Sequence, residues 1–268
     1  MNLFRAELLK LRTTSLWWIF AIILVPLWGV ALAYNWLAVE VSFSSPEANM
    51  ENVGFGSLET VVSGLYTCGQ FGGVLLVVLL SAILITSEFF HLTATSTFLT
   101  TPRRELVVIA KMATAVVIAL TVWLFTTLLN LAAAPLVLST VDKPSYLGET
   151  FVWQAIGLNA LAFVLWALLG VGAGVLIRSQ IGATITLSVL YVVGTQILTI
   201  VFTVLSQTVW EPLMGLRVLV PTLASELLIT GPMLPDDPPR WVGGLILLGY
   251  AAVTAVLGTL ITRRRDVS

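Results

Sequence analysis

The chain has 268 residues, 58% of them hydrophobic and only 10% charged, with a mean hydropathy of +1.00 and a net charge of −1. Soluble domains carry roughly 25% charged residues, so this balance excludes an ordinary water-soluble globular fold. A single cysteine, Cys68, and a single histidine, His91, exclude an intramolecular disulfide framework and argue against a Cys- or His-rich metal centre.

Residues 2–14 (NLFRAELLKLRTT) place Leu3, Phe4, Leu8 and Leu11 roughly along one helical face, with Arg5, Lys10 and Arg12 among the rest. A basic amphipathic helix of this kind lies in a membrane interface; the alternative is a frayed tail. Six apolar stretches follow, near 17–38, 62–86, 112–137, 151–177, 181–205 and 241–262. Each is long enough to cross about 30 Å of hydrocarbon as a helix rising 1.5 Å per residue. The first is too long for the apolar core of a cleaved signal peptide. Runs such as 74–85 lack the alternation of a spanning strand, so the expected fold is an all-α polytopic membrane protein forming one domain over 1–268.

Pro26 is expected to kink the first span. Loop 39–61 is acidic and free of Lys and Arg, whereas loop 87–106 (SEFFHLTATSTFLTTPRREL) ends on Arg103 and Arg104. The second and fourth spans hold G-x-x-x-G pairs, Gly69/Gly73 and Gly170/Gly174, which permit close helix approach. Residues 139–150 read as a short turn, and Arg178 to Gln180 as a tight one. Region 206–240 is long and largely apolar, and Pro212, Pro221, Pro232 and Pro235 divide it. The pieces, of about 8–10 residues or 12–15 Å as helices, are too short to span. They dip back between the other helices or lie flat on the outer surface.

Lys and Arg placement sets the expected orientation. With the N-terminus cytoplasmic, ten basic residues lie inside, Arg5, Lys10, Lys111 and the tail Arg263-Arg264-Arg265 among them; only Lys143, Arg217 and Arg240 lie outside. Four acidic residues are inside and ten outside. Outer acidity suits attraction of cationic substrates, and equally the avoidance of positive charge. Trp17, Trp18, Trp36, Trp153 and Trp241 fall at span edges, whereas Trp28, Trp123 and Trp166 lie deeper, as packing bulk.

No span carries an acidic or basic residue near its centre, as ion-coupled transporters and proton pumps usually require. There is no G-x-x-x-x-G-K-[ST] phosphate loop, and no nucleophile–base or paired-carboxylate set can be assembled for an intramembrane hydrolase. The chain thus shows no energy source of its own and is not expected to be an enzyme. Gln70, Asn130, Asn159 and Gln196 each lie roughly 10–14 Å below the proposed outer edges. They are candidates for a polar substrate path; the alternative is interhelical hydrogen bonding.

The run from Glu88 to Arg104 resembles the cytoplasmic loop of ABC-2-type ABC transporter permeases. The likeness is to the actinobacterial style, whose loop follows an E-[FY]-R-H-G-T-x-T-x-T-F-L-x-T-P-R-R-like pattern. Phe90 stands where that pattern has Arg, and Leu92 where it has Gly. The opening RAELLKLRTT followed by Trp17-Trp18 is similar to the N-terminus of those proteins, and the six-span layout extends the resemblance along the chain.

The resemblance implies an N-terminal elbow helix at 2–14 and a cytoplasmic coupling helix around 88–101. Glu88, His91, Thr93, Thr97, Pro102, Arg103 and Arg104 would make the contact with a separate ABC ATPase subunit, two copies per complex, which would carry ATP and Mg. No cofactor or metal is expected in this chain. A second permease chain, identical or homologous, would complete a dimer in the cytoplasmic (inner) membrane, with the substrate path at the subunit interface; no nucleic-acid partner is expected. The implied function is the membrane subunit of an ATP-driven exporter for an amphiphilic or apolar compound. A non-transporting scaffold or sensor, or a secondary transporter, is the alternative.

Overall fold

The computed structural model describes residues 2–14, 16–44, 57–91, 104–177, 179–208, 211–233 and 237–264. Among them there are helices and no strand. A short first helix, α1 (Asn2–Thr13), leads into α2 (Leu16–Ser44), which runs unbroken for 29 residues through Pro26. Then come α3 (Leu58–Tyr66), α4 (Gln70–Phe90), α5 (Arg104–Ser139) and α6 (Thr150–Ile177). The next span is composite: α7 (Gln180–Val189), a π-helical turn (Leu190–Gly194) and α8 (Thr195–Thr208). A 3-10 helix (Glu211–Leu219), α9 (Pro221–Thr230) and α10 (Arg240–Arg264) complete the chain.

Among the described residues six helices are long and apolar enough to cross a membrane: α2, α4, α5, α6, the α7–α8 composite and α10. Their ends define two faces of the bundle. Arg5, Lys10, Arg12 and Lys111 lie at or near one, called here the basic end; Glu40, Glu59, Asp142, Glu149 and Asp237 lie at the other, the acidic end.

The expected second span, 62–86, is in fact two helices. Thr67 to Gly69 break it, and Gly69 has φ +81°, a left-handed conformation that an L side chain rarely adopts. Ser57 caps α3 by accepting a hydrogen bond from Thr60 N, so α3 begins and ends as a helix in its own right. Apolar composition runs across the break without interruption, which is why hydropathy reads a single span.

Helices α4 and α6 form the centre, each with 67% of its most apolar window buried, against 6% for α2. Lipid supplies no hydrophobic driving force between helices, so their association rests on close packing. Gly170 and Gly174 provide it: a Cβ at either position would stand 2.6 Å from Val78 O or 2.8 Å from Ala82 O on α4. Of the other pair, Gly73 faces Phe163 of α6, whereas Gly69 serves the helix break and abuts Trp28.

The proline-divided region forms two short helices meeting at 94°. Pro221 opens α9 at a position where its missing N–H costs nothing. Helix α9 packs against α6 and α10, burying Ala224, Ser225, Leu227 and Leu228.

Candidate functional site

Two arrangements of polar groups stand out, one at each end of the bundle.

At the basic end, α1 turns Leu3, Phe4, Glu7 and Leu8 inward and leaves Arg5, Leu9, Lys10 and Arg12 exposed. The packed face therefore carries a carboxylate, which is 5% exposed. Glu7 Oε2 accepts from Lys111 Nζ of α5 at 2.8 Å, and Glu7 Oε1 from Lys10 Nζ at 2.8 Å. Glu88 of α4, 7% exposed, closes the ring: its Oε1 is 2.9 Å from both lysine ammonium groups. Lys111 is 2% exposed and also donates to Leu84 O at 3.0 Å. Two of its donors thus go to Glu7 and Leu84, and Glu88 is its second ion partner. The cluster is neutral and joins α1 to α4 and α5.

The pKa directions agree with this geometry. Burial alone would raise the Glu7 carboxyl, but Lys111 and Lys10 more than reverse it and hold it below its ordinary value. Burial would likewise lower Lys10, and the bonds to Glu7 and Glu88 overcome that, leaving it raised.

Among the residues expected at an ATPase contact, Glu88 thus already has its charge partners within the chain. Residues 88–90 continue α4 instead of starting a separate helix. His91 caps α4 and is exposed, its ring edge-on to Phe90. Arg104 is the first residue of α5. Thr93, Thr97, Pro102 and Arg103 lie outside the described residues.

Towards the acidic end, a cleft of about 780 Å³ opens between α2, the α3–α4 break, the π-turn with α8, and α9. The π-turn builds one wall. Tyr191 within it donates to Phe71 O at 2.9 Å, and its ring packs 5.1 Å from Trp166 and 4.8 Å from Phe71. Thr195 bonds back to Tyr191 O and pairs with Thr222 of α9 at 2.8 Å. A π-turn inside an α-helix frequently marks a functional site.

Opposite, Gln70 Nε2 donates to Ser225 Oγ at 2.8 Å, and Trp166 Nε1 donates to the same oxygen at 3.3 Å. Trp166 lies sixteen residues into α6, about 24 Å along that helix. Ser225 of α9 thus meets α6 through Trp166.

The four amides divide two and two. Gln70 and Gln196 line the cleft; Asn130 and Asn159 do not, and each is 1% exposed. Asn130 holds the helix break. Its Nδ2 donates to Tyr66 O and Cys68 O, both at 3.0 Å, while its Oδ1 accepts from Trp28 Nε1 at 2.7 Å and Cys68 Sγ at 3.0 Å. Backbone freed by a break at this depth must be satisfied by protein, and Asn130 satisfies it. Asn159 Oδ1 has no partner among the described residues.

The deep tryptophans do more than fill space. Trp28, Trp123 and Trp166 each donate an indole N–H to another helix. Glu226 of α9 was legible only as one of ten outer acids, yet it lines the cleft. Arg217 in the preceding 3-10 helix is held by Asp237 at 2.8 and 3.1 Å.

Six apolar spans make the chain a multi-pass α-helical membrane protein. No protein-family model matches it, and a search of curated proteins finds no match either.

Proposed function

We propose that the chain is the membrane-spanning permease subunit of an ATP-driven ABC exporter of the ABC-2 type, with the basic end cytoplasmic. It moves an amphiphilic or apolar compound across the cytoplasmic membrane, and ATP and Mg belong to two copies of a separate ATPase subunit. A second permease chain, identical or homologous, completes the complex; α2, with little of its apolar surface buried within the chain, has a face available for it.

The observation that carries this reading is the four-charge cluster. It fastens α1 to the roots of α4 and α5, the two helices between which the permease-like loop 92–103 runs. A displacement of that loop by a closing ATPase pair is then delivered to α1, α4 and α5 as one body. Packed interfaces of this kind shift between discrete arrangements instead of deforming gradually. The cleft near the acidic end provides a compartment for cargo, and Gln70 and Gln196 supply polar contacts within it.

Purification of the full chain from its native membranes in mild detergent tests the assignment. The expected result is co-recovery of an ATPase carrying a phosphate loop, in equal number. Recovery of a stable, folded chain with no ATPase bound would contradict it.

A further inference from the structure

The cleft has a sign as well as a volume. Among its lining residues there is no lysine, arginine or histidine, and Glu226 is the only carboxylate. Arg217, which shares a smaller pocket with Glu226, is engaged through Nη2 with both oxygens of Asp237, and Arg240 donates to the carbonyl of Thr230 at the cleft's edge. Asp237 Oδ2 also accepts from Met233 N at 3.0 Å, which fixes that pair in place. Arg217 lies close enough to act on Glu226 electrostatically, but Asp237 balances its charge. Burial pushes the Glu226 carboxyl above its ordinary value; when ionised it gives the trio Arg217, Asp237 and Glu226 one negative charge in excess, on a side chain that lines the cleft.

Around that carboxylate the walls are apolar and aromatic. Leu27 and Val30 of α2 contribute aliphatic surface, and Tyr34, Phe71 and Tyr191 contribute rings. Ring faces attract cations, the more so when the site is shielded from water. No hydrogen bond or ion pair reaches the Glu226 carboxylate among the described residues, although its own backbone carbonyl accepts from Thr230. A half-buried carboxylate beside aromatic walls suits an apolar body carrying a positive charge, which would hold the group ionised. Beside a neutral lipid the carboxyl would be driven to its protonated form and would offer no charge contact, and an anion would be repelled by the ionised form.

We propose that this cleft is a binding site for lipophilic cations, with Glu226 as the counter-charge and Tyr34, Phe71 and Tyr191 as the aromatic walls. As a statement about cargo it rests on the exporter reading; as a statement about binding it does not.

The test uses the full chain in nanodiscs of zwitterionic lipid, without any ATPase, and two probes of matched shape and opposite charge. Saturable binding of tetraphenylphosphonium and of tetraphenylborate is measured by equilibrium dialysis against empty nanodiscs. The wild type is expected to bind the cation saturably and the anion not at all. Glu226→Gln should weaken cation binding by about tenfold or more, the range of a lost close charge pair. Ala31→Trp, which adds bulk to the cleft from α2 and keeps the carboxylate in the sequence, should abolish it, and keeps the test valid if Glu226→Gln does not fold. Equal binding of the two ions, or cation affinity unchanged in either folded variant, would overturn the proposal. Because no ATPase is present, failure here leaves the coupling assignment standing, and a chain that binds the cation but never an ATPase would separate the two in the other direction.

Discussion

The two ends of the bundle treat charge in opposite ways. At the basic end, Glu7, Lys10, Glu88 and Lys111 sum to zero, and each oxygen or ammonium involved is bonded to another helix or to a neighbour on its own. Near the acidic end, Arg217 and Asp237 satisfy each other and leave Glu226 facing a cleft. A closed ring of charges holds helices together; an unbalanced charge at a cavity wall invites something to bind. The same side-chain chemistry thus serves a mechanical joint at one end and a compartment at the other.

The largest expected effect comes from opening the closed ring. Lys111→Met leaves Glu7 and Glu88 buried with one half-exposed lysine between them, and breaking a buried ion pair costs about 3–5 kcal/mol. Thermal unfolding in detergent should show this, with α1 detaching first; proteolysis near residue 14 would report it. Asn130→Leu comes next. It strands two backbone carbonyls and the Trp28 indole at the α3–α4 break, and an unmade buried hydrogen bond costs about 1–3 kcal/mol, so a loss of about 2–3 kcal/mol is expected in the same assay. If Asn130→Leu unfolds at the wild-type temperature, the account of the break is wrong.

Lys10→Met should cost no more than about 1 kcal/mol, because its side chain is 51% exposed and solvent screens the pair. A Lys10 loss equal to that of Lys111 would show that burial does not separate the two.

The pH dependence sharpens the comparison further. Glu7 has its pKa lowered from the ordinary 4.5, so its stabilisation is fully present above that value and is lost as pH falls through the lower folded value. Lys10 has its pKa raised from 10.5, so its share is present below that value and lost as pH rises through the higher one. The stability deficit of Glu7→Gln relative to wild type should therefore be constant across neutral pH and shrink only below about 4.5. A deficit that already shrinks between pH 7 and 6 would contradict the assigned pairing.

The spans were legible because their signal is composition over twenty residues, and a helix of that length is the simplest way for such a run to satisfy its backbone in lipid. The break at Thr67–Gly69 was not, since Val, Leu and Gly surround it on both sides and its stabiliser, Asn130, lies 62 residues away. A hint existed in Ser57 and Glu59, which form a helix start well before the expected one. The proline-divided pieces of 206–240 were anticipated in length, but not that Ser225 would meet Gln70 and Trp166. Glu7 could have been read from sequence: it follows Leu3 and Phe4 by four and three residues, on the same helical face. Counted only as one inner charge, it gave no sign that α1 docks through a carboxylate. Glu226 required the fold, because nothing local distinguishes it from nine other acids on that side.

The central claim is that loop 92–103 receives the work of a partner ATPase and that the buried charge ring passes it to the spanning helices. Its most direct measurement is ATP hydrolysis in nanodiscs holding the chain with the proposed ATPase, with Thr95→Pro and the wild-type chain compared at equal membrane insertion. The account predicts that the proline substitution removes most of the hydrolysis that depends on this chain, while the thermal stability of the chain alone is unchanged. Full coupled hydrolysis by Thr95→Pro would contradict it.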